Sequence, residues 1–125
     1  MGNGENDIRM PTTTDDGSSG SIDREQAVSA TFKLLSHHRR RVALRYLATQ
    51  AGTTSVSDVA DQIALLEGEH TRDRYERICT SLVHSHLPVL ADAGVVDYDR
   101  DREVIELRDR ATDLQPYLDL AADAD

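Results

Sequence analysis

The sequence has no Trp, one Phe, one Cys, three Pro and a single Lys among its 125 residues. With aromatics at 4% and hydrophobic residues at 38%, the chain can fill one small core but not the walls of a deep substrate cleft. One Cys excludes an internal disulfide framework and suits a reducing cytoplasm. No run approaches the roughly 18 apolar residues of a membrane span, which excludes an integral membrane protein. The N-terminus lacks a basic stretch followed by an apolar one, so no secretory signal is expected. A Gly-rich phosphate loop, a nucleophile elbow and a His-Glu-x-x-His helix are all missing, so neither an enzyme nor a cofactor is expected. The length fits one domain.

What the chain does have is acid. Asp+Glu number 23 against 14 Lys+Arg, a formal charge of -9. All the basic residues but Lys33 are Arg, and Asp outnumbers Glu heavily. An acidic, Lys-poor surface keeps a protein hydrated in concentrated salt, which points to a halophilic protein. A G+C-rich genome would give a similar bias. The charge is also uneven. Residues 32–50 hold Lys33, Arg39, Arg40, Arg41 and Arg45 and no acid at all. Such a block is either a solvated helix face or an anion contact.

Residues 1–21 offer almost nothing to bury and read as a disordered polar tail. Ser21 or Asp23 is placed to cap a helix over about 24–35. Ser36 is placed to cap a second, over 37–50, which Ala51-Gly52 ends. Thr53–Val56 suits a small strand, and Ser57 caps a third helix over 58–66. A long helix over 72–92 turns Tyr75, Ile78, Cys79, Leu82, His86, Val89, Leu90 and Ala93 to one side. Pro88 lies inside this pattern and predicts a kink. Gly94 stops the helix. Residues 95–99 and 103–107 are β-branched stretches around Arg100-Asp101-Arg102, the pattern of a β-hairpin. A last helix over 111–122 carries Leu114, Tyr117, Leu118 and Leu120, with Pro116 at its start or breaking it.

The expected fold class is mainly α with a small β-hairpin wing: a winged helix-turn-helix over 22–110, flanked by N- and C-terminal helices, with 111–125 a C-terminal helix and acidic end. The hairpin directly after the third core helix is the feature that a plain three-helix bundle lacks. The residues carry a resemblance as well. SHHRRRVALRYLATQAG (36–52) resembles the opening helix of winged-helix transcriptional regulators, and SVSDVADQIA (55–64) their positioning helix. SLVHSHLPVLADAGVVDYDRDREVIEL (81–107) resembles the recognition helix and wing of arsenical-repressor-like regulators. His86-Leu87-Pro88-Val89-Leu90 and Ala93-Gly94-Val95-Val96-Asp97-Tyr98 also fit a small haloarchaeal family of uncharacterised winged-helix proteins. The resemblance covers about residues 32–108 and implies DNA-binding regulation.

In that arrangement the outer face of helix 72–92 meets the major groove. Arg77, Ser81 and His84 fall at i, i+4 and i+7, on one strip of that face. An Arg can bridge the O6 and N7 of guanine, while Ser and His can bond base edges or phosphates. Thr80 flanks the strip and suits a thymine methyl. Arg72 and Arg74 lie near the helix N-terminus, where backbone N–H groups favour phosphate. Arg100 and Arg102 sit at the wing tip, for phosphate or minor groove. The bland alternative is a solvated polar face whose wing arginines are neutralised by Asp99, Asp101 and Glu103. Arg39, Arg40 and Arg41 could meet backbone phosphate, but at least one is expected to pair with the acidic stretch 58–69 or 97–106, because three consecutive residues point three ways.

Cys79 and His86 are seven residues apart, about 10 Å along a helix, too far to converge on one metal. No metal site is expected. His86 reads as a packed core residue whose ring nitrogens find partners, and Cys79 as a small buried hydrophobe. The leading expectation is therefore a regulator binding double-stranded DNA as a homodimer. Its dimer contacts would come from Phe32, Leu34 and Leu35 of the first helix and Leu114, Tyr117 and Leu118 of the last. The rival is a protein–protein interaction module on the same scaffold. A ligand sensor ranks last, because nothing in the sequence builds a pocket.

Overall fold

The computed structural model describes the backbone of residues 15–124 and the side chains of residues 23–121. The chain divides between Lys33 and Leu34 into two compact units. The first contains helix α1, Asp15–Leu34, up to Lys33. Residues 1–14 of the expected tail lie outside the described residues, but 15–21 are helical. No Pro separates Asp15 from Asp23, and Ser21 was only one of several polar residues able to begin the helix. From Asp23 to Ala30 every side chain is exposed.

The second unit starts with α2, His38–Ala48. Its N-cap is His37, not Ser36. The His37 carbonyl accepts the first bonds of the helix from the backbone N–H of Arg40 and Arg41. Gly52, at φ +77°, turns the chain in a left-handed conformation that a side chain would strain. Strand β1, Thr53–Ser55, leads straight into α3, Val56–Leu66. The cap of α3 is Ser55, whose Oγ accepts from the Asp58 N–H at 3.0 Å, not the expected Ser57. Val56 is buried and has to enter the helix facing the core, so the strand ends one residue before it. Ser57 lies instead in the first turn, its hydroxyl 2.5 Å from that of Tyr75.

The long helix is three pieces in one rod: α4, Arg72–Ser81; a π turn, Leu82–His86; and α5, Leu87–Asp92. The departure comes one turn ahead of Pro88. Pro88 has no N–H, and its ring collides with the carbonyl four residues back in a regular helix. A wide turn relieves this: the Leu87 N–H reaches back five residues to the Leu82 carbonyl. The additional residue rotates everything after it by about 100°. Leu82 and Leu87, five apart, are therefore both fully buried, whereas Val89, expected inside, is 36% exposed.

Gly94 (φ +76°) turns the rod into the hairpin of β2, Val96–Asp99, and β3, Val104–Leu107. Strand β3 is central, antiparallel to both neighbours, with Ile105 opposite Thr54 on one side and Tyr98 on the other. Helices α2 and α3, the rod and a small antiparallel sheet that includes the hairpin make the unit mainly α, in a winged-helix-like arrangement. A 3-10 turn, Asp109–Leu114, and α6, Gln115–Ala124, follow, with Pro116 in the first turn of α6.

Leu44, Ile63, Ile78, Leu82, Leu87, Leu90 and Ile105 are fully buried, each contributing roughly 1.5–3 kcal/mol by leaving water. Ala111, Leu114 and Leu118 join the same core, so no boundary falls at residue 110. The same burial corrects the residues named for dimer contacts. Leu34, Leu35, Leu114 and Leu118 are buried within their own chain; their apolar surface completes a small core instead of lying spare. Of that set only Phe32 is exposed, and Tyr117 is half-buried. No helix among the described residues is long and apolar enough to cross a membrane.

Candidate nucleic-acid interface

The rod is anchored at its start by Thr71, whose hydroxyl accepts from the Arg74 N–H at 3.1 Å. Ile78 and Leu82 pull one side of α4 into the core, and that fixes which side faces out. Arg77, Thr80 and His84 are exposed, with Ser81 half-buried. Arg77, Thr80 and Ser81 line one shallow depression together with Asp73 and Glu76. His84 is exposed on the π turn and is not part of that lining. The Thr80 hydroxyl is occupied, donating to the Glu76 carbonyl at 3.0 Å, as Thr often does within a helix.

The arginines are not equivalent. Arg74 does not point at solvent near the helix start as expected. Its Nη1 lies 3.0 Å from Glu67 Oε1 and its Nη2 2.7 Å from Glu69 Oε1. Both acids belong to the turn just before α4 and reach it from five and seven residues away, so Arg74 secures the helix-turn-helix. Glu67 also accepts from Arg39 Nε (2.8 Å) and Nη2 (3.1 Å). One carboxylate thus ties together the starts of α2 and α4 and the end of α3. The Arg39 hydrogen bond, with Arg74 adding to it, holds the Glu67 carboxyl below the usual carboxylate range against the opposing effect of burial.

Arg77 Nη2 sits 3.0 Å from Asp73 Oδ2, and Arg72 Nη1 is 4.0 Å from Glu76 Oε2, both pairs one turn apart and exposed. At the wing tip Asp99 Oδ1 accepts from the N–H groups of Asp101 and Arg102, and Arg102 Nε lies 3.9 Å from Asp99 Oδ2. Arg100 and Arg102 are exposed. Glu103 closes the turn at φ +57°, a left-handed conformation that costs a side chain about 1–2 kcal/mol. Its carbonyl accepts from the Val56 N–H at 2.9 Å, pinning the wing to the start of α3. Glu103→Gly is therefore expected to raise stability by about 0.5–1 kcal/mol in urea unfolding, after allowing for the greater freedom of Gly in the unfolded chain. An unchanged or lowered midpoint would mean that the side chain compensates for the strain.

Beneath the rod, Arg40 is buried and donates from Nε to His86 Nδ1 at 3.1 Å and from Nη1 to the Leu34 carbonyl at 3.3 Å. An accepting Nδ1 makes His86 a neutral ring protonated on Nε2. Burial first, and then the nearby charges of Arg40, His37 and Arg39, push its pKa down to about 4. The basic block 32–50 is thus put largely to structural use: Arg39 pairs with Glu67, Arg40 meets His86, and Arg41 Nη1 bonds the Leu35 carbonyl at 2.7 Å. Burial pushes the Cys79 thiol up, away from a reactive thiolate. Among the described residues, no group of three or more His, Cys, Asp or Glu stands together as a metal site would need.

Arg39 pairs within the acidic stretch 58–69, as expected for one of the three arginines; Glu67 itself, the hub of this region, was not singled out from the sequence, because its partners lie in other elements. The pairs Asp73–Arg77 and Arg72–Glu76 did have a signal, since opposite charges four apart on a helix meet. No curated protein and no solved structure matches the chain. Residues 32–106, which run from the end of α1 into β3, match the model of the domain of unknown function DUF7344, and the chain belongs to that family.

Proposed function

We propose that the protein binds double-stranded DNA and acts as a transcriptional regulator, with the outer face of α4 in the major groove and the wing against flanking backbone. The observation that supports this reading is the depression lined by Arg77, Thr80 and Ser81, with His84 exposed further along the rod and a β-hairpin following it in the chain. Arg77 is the guanine reader, with Ser81 and His84 bonding base edges or phosphates. Arg72, Arg100 and Arg102 serve the backbone; Arg74 is assigned to the fold. A homodimer completes the reading, setting two α4 strips about 34 Å apart, one turn of DNA. Sedimentation of the full chain checks that state.

The joint variant Arg77→Ala/His84→Ala is expected to abolish retention of duplex DNA in molar KCl. Its thermal midpoint should stay within about 2 °C of the wild type, because both side chains are exposed. A second reading, a protein-interaction module, is favoured by one observation: the same face carries carboxylates among its arginines. Genomic DNA passed over the tagged protein separates the two. Failure to retain any sequence selectively, at any salt, gives the interaction module precedence.

A further inference from the structure

On α4 and the wing tip, Arg72, Arg77, Arg100 and Arg102 stand among Asp73, Glu76, Asp99, Asp101 and Glu103. The face offered to DNA has more acids than bases. Two of the acids are paired on the strip itself: Asp73 with Arg77 at 3.0 Å and Glu76 with Arg72 at 4.0 Å. Both lie in the depression that Arg77, Thr80 and Ser81 share.

We infer that Asp73 and Glu76 are specificity-determining residues of this face, suppressing attachment to random duplex while allowing a guanine edge to capture Arg77. The inference rests on the DNA reading above. A phosphate offers Arg77 the same single charge that Asp73 already supplies. Exchanging one for the other therefore gains little, and it leaves Asp73 facing the phosphates. That stranded carboxylate must take up a cation from solution, which cancels the cation released from the DNA. A guanine offers something Asp73 does not: two acceptors, O6 and N7, spaced for the planar fork of one Arg, worth roughly ten- to a hundredfold in affinity. Base contact displaces Asp73, and backbone contact alone does not. Binding then depends weakly on salt, as a protein working in concentrated salt would need.

The test uses the full chain, wild type and Asp73→Asn/Glu76→Gln, on two probes of about 25 base pairs, roughly two turns. One is a random-sequence duplex; the other is the duplex that the wild type enriches from a randomised pool. Thermal melting checks folding, and Glu76→Gln alone stands in if the double variant does not fold. The expected result is random-duplex affinity raised about tenfold by the variant at low KCl. The slope of log K against log[KCl] should steepen by about one for each acid removed, and the ratio of enriched to random affinity should fall. Equal slopes and equal random-duplex affinities for variant and wild type would overturn the inference and leave the DNA reading standing. No enrichment by the wild type, with no retention of the random-sequence duplex by wild type or variant at low salt, would overturn the DNA reading itself.

Discussion

Leu87→Ala should cost the fold about 2–5 kcal/mol, and Val89→Ala under about 1 kcal/mol. A straight helix over 72–92 makes the opposite forecast, because its regular spacing points Val89 inward beside Leu82 and Leu90. The π turn reverses this. Leu87 is fully buried, in the same core as Ile78, Leu82 and Leu90, and its truncation leaves a cavity that this core cannot close without moving. Val89 already meets water, so its truncation removes little buried surface. Urea unfolding of the two variants decides the matter. Equal costs, or a larger cost at Val89, would mean that the rod is regular.

The second large effect is acid destabilisation below pH 6.5. In the unfolded chain His86 takes up a proton near its ordinary 6.5, while in the fold it resists until about 4. The unfolded state therefore binds more protons throughout this window, and stability falls as pH falls. The contribution is complete above 6.5 and exhausted below about 4, a loss of about 3 kcal/mol, a large share of the 5–15 kcal/mol typical of a domain. Glu67 acts in the same direction at lower pH. Its carboxyl is held down by Arg39 and Arg74, so protonating it loses the tie between α2, α3 and α4. His86→Asn keeps an acceptor near the position of Nδ1 and removes the titration. Denaturant midpoints from pH 7 to pH 4 should slope steeply for the wild type and much less for the variant. Parallel slopes would assign the acid response elsewhere.

The parts of this fold legible from the sequence are those with local causes. Gly52 and Gly94 mark the reversals, and the β-branched stretches around residues 100–102 mark the wing. The outer strip of α4 follows from where Ile78 and Leu82 must point. The π turn was half-legible: Pro88 signals trouble, but not whether the chain bends or absorbs a residue, and packing of Leu87 settles that. Long-range pairing was least legible. Nothing near Arg74 in the sequence marks Glu67 as its partner, because Arg39 completes that site from another helix. Leu114 and Leu118 read as spare surface because a core this small has to borrow apolar residues from the end of the chain, which local patterning does not count.

The sheet has its own implication for how the protein is made. Strand β3 lies in the middle, yet it leaves the ribosome after both strands that flank it. Thr54 waits for Ile105 before it has a strand partner, and the core stays open until Leu118 follows. Translation therefore delivers α2 and α3 as a partly greasy intermediate that only the final stretch can close, exposing the nascent chain to chaperones and proteases until then. Truncations that remove β3 or α6 should yield chains that are degraded, not shortened versions of the working domain.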